Sequence, residues 1–194
     1  LSLSAIEEIV AANPEVIVVV DEAYIDFGGE SALPLIERYD NVIVVQTFSK
    51  SRAMAGSRIG YAISNAKVIK YLNDVKYSFN SYTMDSVTIA LGVESVKDRA
   101  YLEEMTAKII ATREWTKEEL KKLGFVFGDS KSNFIFAKHP SVGAMEIFNA
   151  LREQDIYVRH FSKPERINEY LRISIGTDEE MRIFVDAVKK IVTR

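Results

Sequence analysis

No cysteine occurs among the 194 residues, so disulfides and thiolate metal sites are excluded. Histidine is almost as scarce. His139 and His160 are the two present, and they stand too far apart for ligand spacing, so a metal centre is not expected. Basic charge is not in excess either, since the formal net charge is −3. No basic stripe stands out, which argues against a nucleic-acid partner. No apolar run approaches the length that crosses a bilayer, and no membrane partner is expected. Nothing near Leu1 reads as a signal peptide. These absences are compatible with a cytoplasmic protein. Internal repeats and low-complexity tracts are also missing. What remains is ordinary for a globular protein, with 47% hydrophobic and 27% charged residues, in a chain long enough for one or two domains.

The chemistry concentrates in one stretch, Thr47-Phe48-Ser49-Lys50 through Arg58-Ile59-Gly60-Tyr61. The apolar run 42–46 leads into it and reads as an interior strand of a parallel sheet. Lys50 then falls at or just past a strand's carboxyl end, where open α/β sheets place ligands. Thr47, Ser49 and Arg58 are residue types that grip a phosphate: two hydroxyls and a permanently charged planar fork. Gly56 and Gly60 are expected to let the backbone approach closely. A Walker A loop is excluded because no Gly-x-x-x-x-Gly-Lys-Ser/Thr order exists here. A Schiff-base lysine beside an anchored phosphate fits better and points to pyridoxal phosphate. On Thr-x-Ser-Lys alone an ordinary loop lysine would be the better reading.

A second feature reverses that preference. The apolar run 16–20 ends in Asp21-Glu22-Ala23-Tyr24. An aspartate closing an apolar strand is costly without a cationic partner. A protonated pyridine nitrogen is such a partner, and the pairing keeps the ring an electron acceptor. Tyr24 can turn its hydroxyl toward the ring's phenolic oxygen. Two adjacent strands would deliver Asp21 and Lys50 to one edge.

Around these motifs the chain alternates. A helix is expected over 1–12, with Ser4 as N-cap and Glu7 completing a capping box. Residues 33–39 read as a short helix, 59–63 as a third strand and 66–75 as a helix. Residues 77–85 read as a polar-aromatic linker, followed by helices over 86–97 and 99–123. Strands are expected at 125–127, 133–137, 156–159 and 170–175, and helices at 142–153 and 178–193. Strand–helix alternation predicts an α/β fold with a mostly parallel sheet. Arg172 stands inside Leu-Arg-Ile-Ser-Ile-Gly and Arg159 inside Val-Arg-His-Phe. A salt-bridged surface arginine is the plainer reading at each place, and for Arg172 the weaker one.

Asp21-Glu22-Ala23-Tyr24, Thr47-Phe48-Ser49-Lys50, seven residues and then Arg58-Ile59-Gly60 together resemble the fold-type I pyridoxal-phosphate aminotransferases. Among these, the histidinol-phosphate aminotransferases are the most similar. The resemblance runs over essentially the whole chain, although Ser78 stands where the family has a proline. It implies that Lys50 is the catalytic, cofactor-bearing lysine and Asp21 the pyridinium partner. Tyr24 would reach the phenolic oxygen, and Thr47, Ser49 and Arg58 the phosphate. Arg172 would hold a substrate carboxylate and Arg159 a substrate phosphate. The implied chemistry is transamination in histidine biosynthesis, between glutamate/2-oxoglutarate and a phosphorylated imidazole substrate, in a homodimer. An aromatic aminotransferase and a threonine-phosphate decarboxylase are the rivals on the same fold. The resemblance further implies that residues 1–100 are the carboxyl-terminal part of a large cofactor-binding domain. Residues 101–194 would be an α+β small domain that begins with the long interdomain helix. A preceding half would then be missing from the sequence. A polypeptide of this extent is expected to bind cofactor poorly and to turn nothing over, an inactive structural half.

Overall fold

The structure, a computed structural model, describes residues 1–193. Arg194, the last residue of the expected small domain, lies outside them. The chain forms two compact units, Leu1–Glu104 and Met105–Arg194.

The first unit opens with helix α1 (Leu3–Ala12), capped by Ser2, whose side chain accepts a hydrogen bond from the Ala5 amide at 3.2 Å. Ser4, the expected cap, instead lies inside the first turn. Both serines can cap, and the helix takes the earlier one because residue 3 already has helical backbone. Strand β1 (Val18–Asp21) runs parallel to β2 (Val42–Thr47), with Val18 opposite Val42 and Asp21 opposite Val45. Asn41 ties the two together. It is buried, and its amide donates to the carbonyls of Val10, Asn13 and Val16 at 3.2, 2.8 and 3.0 Å. The α1–β1 turn is thereby fastened to the start of β2. Strand β3 (Gly60–Ile63) pairs with β2, but antiparallel. This departs from the parallel expectation. The connection over 48–59 contains only one short 3-10 turn, and a parallel return needs a longer crossover.

Two further differences are local. Leu33–Glu37 is a 3-10 turn rather than an α-helix, because Pro34 suits a first turn and the five-residue segment is too short to propagate. Helix α2 (Ala66–Phe79) runs four residues past its expected end at 75 and takes in only the first part, 77–79, of the expected linker. Its cap is Asn65, whose side chain accepts from the Val68 amide at 3.0 Å. Helix α3 (Ser86–Lys97) follows, capped by Asp85, and helix α4 (Arg99–Lys122) runs through the junction of the two units. The core of the first unit is small: Val10, Ala32, Leu35, Val42 and Val44.

The second unit is a four-stranded antiparallel sheet ordered β4-β5-β7-β6. The strands are β4 (Val126–Phe127), β5 (Phe134–Lys138), β6 (Arg159–His160) and β7 (Leu171–Ser174). The strand expected at 156–159 is realised only at its end. Asp155, just before it, takes a positive φ of 58°, and that turn delays entry to the sheet. Helices α5 (Ala144–Arg152) and α6 (Asp178–Val192) supply most of the buried residues that meet Ile135, Ala137, Leu171 and Ile173. Strand alternation puts Phe134, Phe136 and Arg172 on the opposite sheet face.

Candidate functional site

The eight residues singled out by sequence fall into two groups, one in each unit. Asp21, Tyr24, Thr47, Ser49, Lys50 and Arg58 belong to the first unit; Arg159 and Arg172 belong to the second.

The first group is built by the parallel pairing of β1 and β2. Both strands present their carboxyl ends to the same edge, so Asp21 and Thr47 arrive together. Asp21 is exposed, and its carboxylate accepts only the Ala23 amide, at 3.0 Å. Among the described residues it forms no ion pair. Its neighbour Glu22 faces the other way and is buried. Glu22 accepts from the Ser31 hydroxyl, from the Ala32 amide at 2.6 Å and from the Gln46 side chain at 2.8 Å. The two carboxylates illustrate the strand period: one is offered outward, one is consumed in bracing the fold.

Lys50 is half-buried. Its Nζ sits over the Tyr24 ring, 5.5 Å from the centroid, and it has no carboxylate partner among the described residues. Its backbone closes a tight turn, with the Ala53 amide donating to the Lys50 carbonyl at 3.1 Å. Ser49 offers a hydroxyl that no described group engages. Thr47 differs: its hydroxyl donates to the Ile59 carbonyl at 3.2 Å and accepts from the Ser49 amide at 3.1 Å. Its proton is therefore committed to the end of the sheet, and it could serve an anion only by turning about χ1. Arg58 is exposed and donates to the Ala55 carbonyl at 2.9 Å. Ala53 and Arg58 hold φ at 53° and 55°. Such left-handed non-glycine residues cost of order 1–3 kcal/mol each and cluster at ligand sites. A Cβ on Gly56 would meet nothing within 4 Å, whereas one on Gly60 would lie 3.4 Å from the Gln46 carbonyl. The expected close approach therefore falls to Gly60 alone.

These donors fit a pyridoxal-phosphate-like group. An uncompensated carboxylate, an uncompensated amine, a free hydroxyl and a guanidinium without a carboxylate partner gather around one sheet edge. A cationic ring nitrogen, a carbonyl carbon and a phosphate are the complementary set.

The second group is set by register. Arg159 on β6 lies directly opposite Arg172 on β7, so both side chains project from one face. They line a cavity of about 470 Å³ with Tyr157, Phe161 and Ser174. The Arg172 guanidinium lies 4.6 Å from the Phe134 ring centroid, and that of Arg159 lies 5.4 Å from Phe161. Arg172 Nε is buried with no hydrogen-bond partner. Like charges directly opposite are unfavourable, and a buried donor without a partner is costly. An anion between the arginines would relieve both.

Comparison with known proteins agrees with this chemistry. The family profile described as aminotransferase class I and II matches residues 1–188. The chain belongs to the class I and II aminotransferases. Among the family's curated members, the histidinol-phosphate aminotransferase of Clostridium botulinum (strain Okra / Type B1) is 50% identical over 194 residues, all of this chain and 54% of that protein. The chain spans about half the length of the curated relatives it matches. In the aminotransferase crystal structures the fold recurs. That of the Clostridium acetobutylicum histidinol-phosphate aminotransferase has a TM-score of 0.89 at 24% identity, over 98% of this chain and 59% of that one. The Sinorhizobium meliloti histidinol-phosphate aminotransferase, solved with pyridoxal-5'-phosphate, has a TM-score of 0.81 at 28% identity, over 96% of this chain and 52% of that one.

Glu22 and Gln46 were not anticipated as site neighbours. The adjacent acids at a strand end were the available signal, since a period of two must send one of them inward. Ser51 is a second omission. It is buried, and its hydroxyl donates to the Asp26 carboxylate, fastening the residue next to Lys50.

Proposed function

We propose that this chain carries the cofactor-bearing edge of a histidinol-phosphate aminotransferase. The reaction would move an amino group between glutamate/2-oxoglutarate and a phosphorylated imidazole substrate. The observation that carries the reading is the pairing of uncompensated Asp21 and Lys50 at neighbouring strand ends. Identity of about one half to the curated relatives along the whole chain supports the substrate assignment.

In this reading pyridoxal 5'-phosphate, when bound, supplies an electron sink for the substrate's α-carbon. Lys50 Nζ would hold the cofactor's carbonyl carbon. Once freed by the amino donor, the neutral amine would take the substrate's α-proton and deliver it to that same cofactor carbon, as general base and then acid. The Asp21 carboxylate keeps the pyridine nitrogen protonated. Tyr24 donates toward the phenolic oxygen. Ser49 and Arg58 grip the phosphate, joined by Thr47 once its hydroxyl turns from Ile59. Arg172 offers a fork to the carboxylate of glutamate, and Arg159 faces the phosphate of the imidazole substrate. A homodimer in the cytoplasm is part of the same proposal.

The test adds pyridoxal 5'-phosphate to the full-length protein that carries this chain, reduces with borohydride and maps the labelled peptide. The label is expected on Lys50, with Asp21→Ala weakening the visible absorbance of the complex. A label on another lysine would sink the assignment. In the protein that carries this chain, release of carbon dioxide instead of oxo-acid would favour the decarboxylase.

A further inference from the structure

Arg52 carries no role in the site described above, yet its side chain clasps the loop that presents Lys50. Its Nη1 donates to the Ser95 carbonyl at 2.5 Å. Ser95 lies in the last turn of α3, where carbonyls run short of amide partners and the negative end of the helix dipole sits. The guanidinium carbon also lies 5.2 Å from the Phe48 ring centroid. Phe48 is itself fixed: it is buried, its amide donates to the Ile59 carbonyl at 3.1 Å, and its ring meets Tyr61 edge-on at 5.9 Å. Arginine suits this place because one planar group can stack and donate at once.

The surroundings show that Arg52 serves the carbonyl and not a carboxylate. Its cavity, about 270 Å³, is also lined by Glu94 and Asp98. Glu94 already pairs with Lys97 at 2.7 Å. Asp98 Oδ1 accepts the Tyr101 amide at 3.1 Å, at the start of α4.

The loop needs such a clasp. Between Phe48 and Met54 the turn is closed by two backbone bonds, Ala53 amide to Lys50 carbonyl at 3.1 Å and Met54 amide to Phe48 carbonyl at 3.0 Å. It is opposed by the left-handed φ of Ala53. Ser51 fastens one side of Lys50's neighbourhood through Asp26. Arg52 is the last side chain before the strained residue and fastens the other. We propose that Arg52 is a positioning residue. By bonding Ser95 and stacking on Phe48, it keeps the 50–53 turn closed against the strain at Ala53 and holds the Lys50 amine over Tyr24. The inference rests on the reading of Lys50 as the reactive amine.

The test uses the 194-residue chain with Arg52→Ala and Arg52→Lys. Amide hydrogen exchange is followed across 47–58, and acetylation of Lys50 is timed against the other lysines. In Arg52→Ala, exchange at Ala53 and Met54 should rise about tenfold or more, the scale of a lost charged hydrogen bond in a locally opening segment. Lys50 should acetylate about threefold faster or more as its shelter opens. The β1–β2 ladder should keep its protection. Arg52→Lys, which retains the charge and a donor but not the stacking plane, should recover part of both effects. Unchanged exchange and acetylation would overturn the proposal, as would an equal rise throughout the ladder. Should Arg52→Ala fail to fold, Arg52→Lys decides: loosening confined to 50–54 supports the proposal, and wild-type exchange overturns it. The two readings fail separately. A borohydride-fixed cofactor on another lysine removes Lys50's role and leaves the exchange result standing. A label on Lys50 with unchanged exchange removes Arg52's role alone.

Discussion

The two units use apolar residues differently. The second closes a core of its own, in which Leu120, Ile135, Ile147, Leu151, Leu171 and Val188 are buried or nearly so. Among the described residues its exposed large apolar side chains are few: Val126, Met145, Tyr157 and Ile183. The first unit gathers a small core cluster, buries Phe27, Ile43, Phe48, Ile59 and Val68 outside it, and leaves Val19, Tyr71, Val75, Val87, Leu91 and Val96 open, with Phe79 91% exposed. Its sheet has free edges at β1 and β3, and α3 is apolar on faces that nothing in the unit covers. Apolar surface of this extent marks a surface made to be covered. The residues proposed to bind the cofactor thus sit on the less self-sufficient unit, and the paired arginines on the more self-sufficient one.

Core truncation should separate them most strongly. Ile147→Ala and Leu35→Ala remove fully buried side chains of similar size, one from each unit. Ile147→Ala should cost about 2–5 kcal/mol, because a large well-packed core collapses poorly around a cavity. Leu35→Ala should fall at the low end of that range, since its smaller cluster can relax. Val19→Ala, at an exposed site, should stay within about 0.5 kcal/mol. Trp115, the single tryptophan, packs on the second unit's core and reports its unfolding in urea. Amide exchange along β2 reports the first unit. Equal losses for Ile147→Ala and Leu35→Ala would break the comparison.

Acid should act unequally as well. Lys117 is buried in the second unit and pairs with Glu114 at 2.8 Å and Asp129 at 2.6 Å. Burial pushes the Glu114 carboxyl up, but hydrogen bonds from Lys117 and Arg113 outweigh it and hold the group below its ordinary value. The Lys117 hydrogen bond does the same for Asp129. Carboxyls lowered in the folded state contribute stability that is present above their ordinary values. That stability is lost as pH falls through the folded ones. Protonation also leaves the Lys117 ammonium buried without a counter-charge. In the first unit Glu7 is lowered by hydrogen bonds from Arg38 and Tyr39, but its partner Arg38 is half in solvent, where an ion pair contributes little. Between roughly pH 5 and pH 3 the urea midpoint of Trp115 fluorescence should fall further than that of β2 exchange. Lys117→Met should flatten the Trp115 response; a response unchanged by it would remove the network as the cause.

Much of this was legible in the sequence where a single rule decides. The runs before Asp21 and Lys50 became neighbouring parallel strands, as continuous apolar runs predict; β2 is buried at Val42, Ile43 and Val44, whereas the edge strand β1 leaves Val19 exposed. Helical periodicity predicts a buried stripe of Met181, Phe184, Val185, Val188 and Val192 on α6; the first four are buried, while at the helix end Ile191 is buried and Val192 only partly so. Legibility ended where two rules competed or where partners met across the chain. Ser2 and Ser4 are both capping residues, and sequence does not rank them. The direction of β3 depends on how the 48–59 loop turns, and that turn is set by Ala53 and Arg58 in conformations their residue types disfavour. The opposition of Arg159 and Arg172 exists only through the β6–β7 register. The commitment of the Thr47 hydroxyl to Ile59 likewise needs the folded strand end.

Helix caps should show the smallest contrast. At α6 the Thr177 side chain accepts the Glu180 amide at 3.3 Å, and the Glu180 carboxylate accepts the Thr177 amide at 2.7 Å, a complete capping box. At α1 the Ser2 side chain accepts one amide, and no acid closes the box. Thr177→Ala and Ser2→Ala each remove about 1 kcal/mol of capping. The consequences differ because of what each helix buries. α6 carries Met181, Phe184, Val185, Val188 and Ile191 into the core, so loss of its cap should lower the unfolding midpoint of the whole second unit. α1 buries Val10 alone, so loss of its cap should appear as fraying, seen in exchange at residues 3–6 and not in the β2 ladder. Hydrogen bonds from the Thr177 amide and hydroxyl hold the Glu180 carboxyl below its ordinary value. The box therefore contributes above that value and weakens as pH falls through the folded one. The gap in midpoint between wild type and Thr177→Ala should narrow in acid, while the Ser2→Ala effect stays level. A Thr177→Ala loss that is independent of pH would show that the hydroxyl cap acts without its glutamate.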